Sequence, residues 1–258
     1  WMEYMTVFIA NGFYKNKSDF VDKHVEFDQW VKYPKIKNYH NVGVLMRNRN
    51  AILVPMHFER DTQRLRKYIK STYNQEQYER IMKDRWNIFE DKPIESGPEL
   101  MSSLRKLVSS DEDRQFNAKF LMDIHDRLIV FYNFNYERDI LINLAKELDR
   151  PYAEWNGHAH DEVPNTDRWL YFVQYTAGAE GWNCVSTNVI LFYSLNYSYK
   201  IIEQAEGRID RLNTKFKYLE YYYLTSDSQV DRDIFKAIKS KERFNESAWV
   251  KRSGLSFP

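Results

Sequence analysis

The chain has one cysteine, Cys184, in 258 residues, so no internal disulfide can form and the composition fits a reducing cytoplasm. That cysteine follows a glycine-bearing loop with no accompanying local motif, which argues against a Cys/His nucleophile. Long hydrophobic runs are missing too. The longest span about five residues, far below the roughly 18 of a membrane-crossing helix, and no secretory signal opens the sequence. An excess of one charge is also missing. With a formal net charge of +1, the chain cannot coat nucleic acid by bulk counterion release, and any such binding must be local. None of its 8 glycines is followed by lysine, which excludes the phosphate-loop pattern G-x-x-x-x-G-K-[ST]. No Asp-Glu pair closes a convincing strand, Asp161-Glu162 lying in a polar loop, and there is no internal repeat or low-complexity linker.

What is present is core-forming material and a group of phosphate-seeking side chains. A hydrophobic content of 43% suffices for one large core or two modest ones. The run Gln204-Ala-Glu-Gly-Arg-Ile-Asp-Arg211 predicts a helix over 198–211. At about 100° per residue, Gln204, Arg208 and Arg211 then share a sector about 60° wide, while Ile202, Ala205, Ile209 and Leu212 point the other way. Two guanidiniums and an amide on one face suit a phosphate. A helical glycine at 207 costs about 1 kcal/mol against alanine and implies close approach of a backbone or nucleotide. Upstream, the apolar residues 169–173 run into Gln174-Tyr-Thr-Ala-Gly-Ala-Glu-Gly-Trp-Asn183, a strand entering a glycine turn that lets backbone N–H groups approach phosphate oxygens. Residues 189–193 are a second buried-type strand.

In this order the chain resembles the C-terminal RecA-like lobe of superfamily 2 helicases and translocases. Residues 176–183 resemble the family's fifth motif, and Gln204, Gly207, Arg208 and Arg211 match every defined position of its sixth, Q-x-x-G-R-x-x-R. Arg127-Leu-Ile-Val-Phe-Tyr-Asn133 resembles the fourth motif, and Tyr152-Ala-Glu-Trp-Asn-Gly157 the strand and glycine after it. In the first half, Gly12-Phe-Tyr-Lys-Asn-Lys-Ser-Asp-Phe20, Arg47/Arg49, Gln75-Glu-Gln-Tyr78 and Leu104-Arg-Lys-Leu107 follow the order of analogous segments in Swi/Snf-like ATPases, of the compact sort that bacteriophages encode.

The resemblance implies a nucleic-acid-dependent ATPase, a helicase or translocase, in which Arg208 and Arg211 are arginine fingers. Gln204, Gly181, Asn183 and Glu180 would then contact ATP. Asn133, Gly157, His158 and Thr176 would hold a nucleic-acid backbone, double-stranded DNA by the Swi/Snf likeness. ATP and its Mg2+ would sit mainly on a first RecA-like lobe of the same parent chain, and the protein would be cytoplasmic, in the host if phage-encoded. Opening on Trp1 and lacking the first lobe's motifs, the chain reads as part of a longer motor, inactive alone. One departure stands out: relatives place a helix with a basic residue after the glycine of the fourth-motif region, whereas residues 157–167 hold two histidines, acids and Pro164.

The expected fold is α/β, a RecA-like parallel sheet flanked by helices over 116–258, preceded by a mixed, largely helical extension over 1–115. Strands are expected at 51–56, 65–71, 127–132, 152–155, 169–175, 188–193 and 217–224. Helices are expected near 75–86, 97–109, 112–125, 136–148, 198–211 and 229–243. The basic clusters Lys35/Lys37, Arg47/Arg49 and Arg64, Arg66 and Lys67 beside Tyr68 are either solvated surface or local nucleic-acid contacts. Two rival readings remain. His158, His160, Asp161 and Glu162 could serve a metal hydrolase, although adjacent loop residues rarely converge on one ion. Alternatively, a motor-derived module clamps DNA or a partner protein without hydrolysing anything.

Overall fold

The computed structural model describes residues 1–28, 35–54, 61–177, 182–241 and 244–252. The chain divides into two compact units, residues 1–59 and 60–258. The first carries helices α1 (Met2–Ala10) and α2 (Lys17–His24), the antiparallel pair β1 (Val25–Asp28) and β2 (Lys35–Tyr39), and helix α3 (Val42–Ile52). Its small core is Phe8, Tyr14, Phe20 and Leu45. Beside it the His24 ring accepts at one nitrogen and donates at the other: Nδ1 faces the His40 carbonyl at 2.9 Å and Nε2 the Tyr14 hydroxyl at 2.7 Å. The strand expected at 51–56 is not formed over its described part. Residues 51–52 are the last turn of α3, 53–54 are irregular, and the remainder lies outside the described residues.

The second unit begins with β3 (Gln63–Ser71), α4 (Gln75–Glu79), a π-helical turn (Arg80–Asp84), and the short antiparallel pair β4 (Trp86–Asn87) and β5 (Lys92–Pro93). Then come α5 (Gly97–Ser109), α6 (Glu112–Ile124), β6 (Arg127–Tyr132), α7 (Asn135–Glu147), β7 (Tyr152–Trp155), β8 (Trp169–Gln174), β9 (Val189–Phe192), α8 (Tyr199–Glu206), β10 (Tyr218–Ser226), α9 (Gln229–Lys239) and α10 (Glu246–Arg252). Six strands form one sheet in the order β3-β10-β9-β6-β8-β7, every pair parallel.

Parallel strands covered on both faces need apolar residues at every position, and the five-residue runs supply them. Ile129, Phe131, Trp169, Tyr171, Val173, Ile190, Phe192, Tyr221 and Tyr223 face one core, with α5, α8, α9 and α10 packed on it. The alternate residues Leu128, Val130, Leu170, Phe172, Leu191, Tyr193 and Leu224 face the other, under α6 and α7. Helix α5 starts where Ser96 accepts from the Glu99 N–H and Pro98 occupies the first turn, the capping chemistry expected there. The boundary read at 115/116 falls inside α6. Residues 60–115 join the larger unit because β3 pairs with β10 from Gln63↔Tyr218 to Ser71↔Ser226, and because α5 fills the core with Leu100, Leu104 and Leu107.

Helices α6 and α9 are tied by a buried ion pair. Arg114, fully buried, donates to Asp231 Oδ2 at 2.5 Å and to the Tyr193 carbonyl at 3.2 Å, and Ser226 Oγ donates to the same Asp231 oxygen at 2.8 Å. Arg114→Ala should therefore lower unfolding stability by about 3–5 kcal/mol, because it strands a buried carboxylate. Chemical denaturation checks this; a loss of under about 1 kcal/mol would mean that Asp231 finds other compensation.

Candidate nucleotide and nucleic-acid site

The predicted helix 198–211 stops short. It ends at Glu206, with Gly207 as its cap at φ −65°, a backbone open to any residue; a Cβ there would lie 3.3 Å from the Gln204 carbonyl oxygen. The reason is tertiary. The Glu206 carbonyl accepts from the Tyr221 hydroxyl at 3.0 Å and the Arg208 carbonyl from the Cys184 N–H at 3.0 Å, and these bonds hold the chain beyond Glu206 in a turn. The face arithmetic fails from that point. Ile202, Ala205 and Ile209 are buried as expected, but Leu212 is 79% exposed and Arg208 only 7% exposed, while Gln204 stays exposed on α8.

Arg208 and Arg211 thus sit on a turn beyond the helix, beside the segment that follows the glycine loop. Arg208 Nη1 donates to the Trp182 carbonyl at 2.9 Å, and its guanidinium lies 5.6 Å from the Trp182 ring centroid. Burial, and then repulsion from Arg211, lowers the Arg208 pKa. Arg211 Nε is buried without a hydrogen-bond partner among the described residues. Asn183, exposed between Trp182 and Cys184, adjoins the same turn. Glu180 and Gly181 lie outside the described residues.

The acids of this octet turn away from its arginines toward the edge strand. Glu206, 3% exposed, accepts from Arg66 Nε and Nη2 at 2.7 and 2.6 Å, from Arg64 Nη1 at 2.8 Å, and from the Tyr223 hydroxyl. Asp210 accepts from Arg64 Nε and Nη2 at 2.8 and 2.6 Å and from Thr62 Oγ1 at 3.0 Å. The Glu206 bond holds the Arg66 pKa above its ordinary value. Burial disfavours the Arg64 cation, but Asp210 and the surrounding negative groups outweigh it and raise that pKa as well. The cluster of Arg64, Arg66 and Lys67 beside Tyr68 is therefore committed to ion pairs, although Arg66, Lys67 and Tyr68 stay exposed on the edge strand. Lys67 pairs with Glu220, and Tyr68 stacks on Tyr223. Sequence reasoning missed this network; the available signal was Arg64 and Arg66 at strand alternation, answered by two acids inside the octet.

The second predicted group gathers where strands end. Asn133 follows β6, Gly157 and His158 follow β7, and Thr176 follows β8, at the C-terminal edge where α/β sheets bind ligands. Trp155 Nε1 donates to the Ala177 carbonyl at 3.0 Å and joins two of these loops. Gly157, His158 and Thr176 are exposed. Asn133 is not available in the same way: its Nδ2 donates to Ser194 Oγ at 2.7 Å and the Leu195 carbonyl at 3.2 Å, and its Oδ1 accepts from Asn196 at 2.9 Å. Ser194 in turn donates to the buried Glu137, and Arg105, stacked between Phe134 and Tyr197, donates to the Leu195 carbonyl at 2.8 Å. Asn133 ties the β6 and β9 loops together. No helix follows Gly157 before β8. His160 packs against Trp155 at a tilt and Asp161 accepts from the Glu154 N–H at 3.0 Å; no group of three or more candidate metal ligands converges among the described residues. None of the described helices is long and apolar enough to cross a membrane.

No protein-family model and no curated protein matches the chain. Solved structures do match it. The Sulfolobus solfataricus SWI2/SNF2 ATPase core in complex with dsDNA is similar over 75% of this chain and 48% of its own, with a TM-score of 0.53 at 14% identity. The C-terminal part of the Fun30 ATPase domain is similar over 60% of this chain and 59% of its own, with a TM-score of 0.46 at 16% identity. The chain spans between 48% and 59% of the length of these solved chains. The first likeness gives the chain its fold, a RecA-like α/β fold.

Because Asn133 holds two loops by its amide, Asn133→Ala should cost about 1–3 kcal/mol of stability by leaving Ser194 and Asn196 short of partners. Urea unfolding measures this, and an unchanged midpoint would show that the loops are held by Glu137 and Arg105 alone.

Proposed function

We propose that the chain is the C-terminal motor lobe of an ATP-dependent DNA helicase or translocase of the Swi/Snf kind, supplying arginines to a nucleotide pocket whose phosphate loop lies on a first lobe of the same parent. One observation carries the reading: on a RecA-like sheet, the segment after the glycine loop and the turn bearing Arg208 and Arg211 are hydrogen-bonded side by side, Trp182 to Arg208 and Arg208 to Cys184. Two stretches distant in sequence, each suited to phosphate, meet at one place.

The residues suit a triphosphate. A buried guanidinium nitrogen lacking a partner, as in Arg211 among the described residues, gains from a phosphate oxygen, and the planar fork donates two parallel bonds. ATP with Mg2+, the metal held mainly by the first lobe, supplies the phosphoryl group. Arg208 and Arg211 offset the negative charge that grows as it transfers. Gln204 and Asn183, both exposed, would contact the nucleotide there, as would Gly181 and Glu180 by motif position. At the sheet edge, Gly157, His158 and Thr176 bear on the nucleic-acid backbone, which fixes position without reading sequence, while Asn133 supports that edge from beneath. Double-stranded DNA is the partner favoured by the Sulfolobus core, whose solved complex contains it.

In the intact motor, Arg208→Ala and Arg211→Ala should each lower DNA-stimulated ATP hydrolysis about 10³-fold or more. Arg211→Lys should be nearly as damaging, because an ammonium cannot form the fork. Full activity in the lysine variant would remove Arg211 from this role, and an intact motor that binds DNA but hydrolyses nothing would make the chain a non-hydrolysing clamp. His158→Ala/Thr176→Ala should raise the DNA concentration needed for half-maximal stimulation and leave the KM for ATP unchanged; the reverse pattern would move the DNA track elsewhere.

A further inference from the structure

The octet places two acids among its two arginines: Glu206, Gly207, Arg208, Ile209, Asp210, Arg211. Left to themselves, carboxylates one or two residues from a pair of guanidiniums are their nearest counter-ions. A folded-back pair would neutralise the positive charge meant for a phosphate. Nothing in the local backbone prevents this, because α8 has already ended at Glu206 and the arginines stand on an irregular turn.

The edge strand prevents it. Arg66 grips Glu206 with a two-bond fork, Arg64 bridges Glu206 and Asp210, and Thr62 adds a hydroxyl to Asp210. Both acids are buried, and Arg211 keeps a buried nitrogen without a partner among the described residues. β3 and β10 run parallel in register, Leu65↔Glu220 and Arg66↔Tyr221, which brings the Arg66 fork and the Tyr223 hydroxyl onto the same carboxylate from adjacent strands. We infer that Arg64 and Arg66 are positioning residues of the nucleotide site. They act through Glu206 and Asp210, holding these acids off the neighbouring arginines so that Arg211, with a buried nitrogen unpartnered among the described residues, stays available to an incoming phosphate.

The inference rests on the reading of Arg208 and Arg211 given above, and the experiment separates the two. In the intact motor with DNA, kcat and KM for ATP are measured for Arg211→Ala, Arg66→Ala and Arg66→Ala/Glu206→Gln, with circular dichroism and melting to register folding. Arg66→Ala, which takes the two-bond fork off Glu206 and leaves it to Arg64 and Tyr223, should lose about tenfold to a hundredfold in kcat, with half-saturation by DNA unchanged. The double variant, which keeps the shape of Glu206 but removes its charge, should recover most of that loss. A merely structural Arg66 gives no recovery. Where Arg66→Ala does not fold, the same comparison runs on Arg64→Gln and Arg64→Gln/Asp210→Asn, which leave the Arg66 fork in place. A folded Arg66→Ala with undiminished kcat, or a double variant no better than the single, overturns the inference while Arg211→Ala remains inactive. An active Arg211→Ala overturns the reading beneath it.

Discussion

A carboxylate buried at the end of a helix has to be answered by positive charge or strong donors, or it unfolds its surroundings. Glu206 is such a group, and the answer comes from the far side of the sheet's edge: Arg64 and Arg66 on β3, with Tyr223 on β10. That requirement binds residues 62–66 to residues 206–210, across more than half the chain. It gives β3 a reason to lie beside β10 and anchors both ends of the segment 206–210 that carries Arg208. A charged edge strand also resists unwanted strand pairing, so the same arginines serve the edge and the site.

Much of the fold was legible because it depends on local pattern. The runs 128–132, 169–173 and 189–193 are apolar at every position, which suits strands buried on two faces, and all three are central strands of the parallel sheet. Pro98 and the leucine spacing after it gave α5 to the residue. Features decided by distant partners were not legible. Hydrophobic periodicity carries on through Ile209, so nothing local announces that the Tyr221 hydroxyl and the Cys184 N–H donate to the Glu206 and Arg208 carbonyls where α8 ends. The compact units divide at 59/60 rather than 115/116 for a similar reason: β3 has a charged, exposed-looking sequence, and only its pairing with β10 shows that it belongs to the sheet.

The candidate site was legible in part and for a different reason. Motif order placed Arg208 near the segment after the glycine loop, and the bonds between Trp182, Cys184 and Arg208 agree with that neighbourhood. Motif order said nothing about burial, so the picture of an open helical face became a turn with Arg208 mostly enclosed. At the sheet edge the same limit applies. Gly157, His158 and Thr176 emerge exposed, whereas Asn133 is drawn into a polar web with Ser194, Asn196 and Glu137. A side chain's residue type and motif position do not reveal whether a neighbouring loop has already claimed its hydrogen bonds.

The central claim is that the two guanidiniums complete a triphosphate site supplied by another lobe. It is tested most directly by a crystal structure of the intact motor with Mg2+ and a non-hydrolysable ATP analogue. The account predicts guanidinium nitrogens of both Arg208 and Arg211 at about 2.7–2.9 Å from phosphate oxygens, with Glu206 and Asp210 still gripped by Arg64 and Arg66. A bound triphosphate whose oxygens are met by other residues, while Arg208 remains on the Trp182 carbonyl and Arg211 turns to an acid, would contradict it.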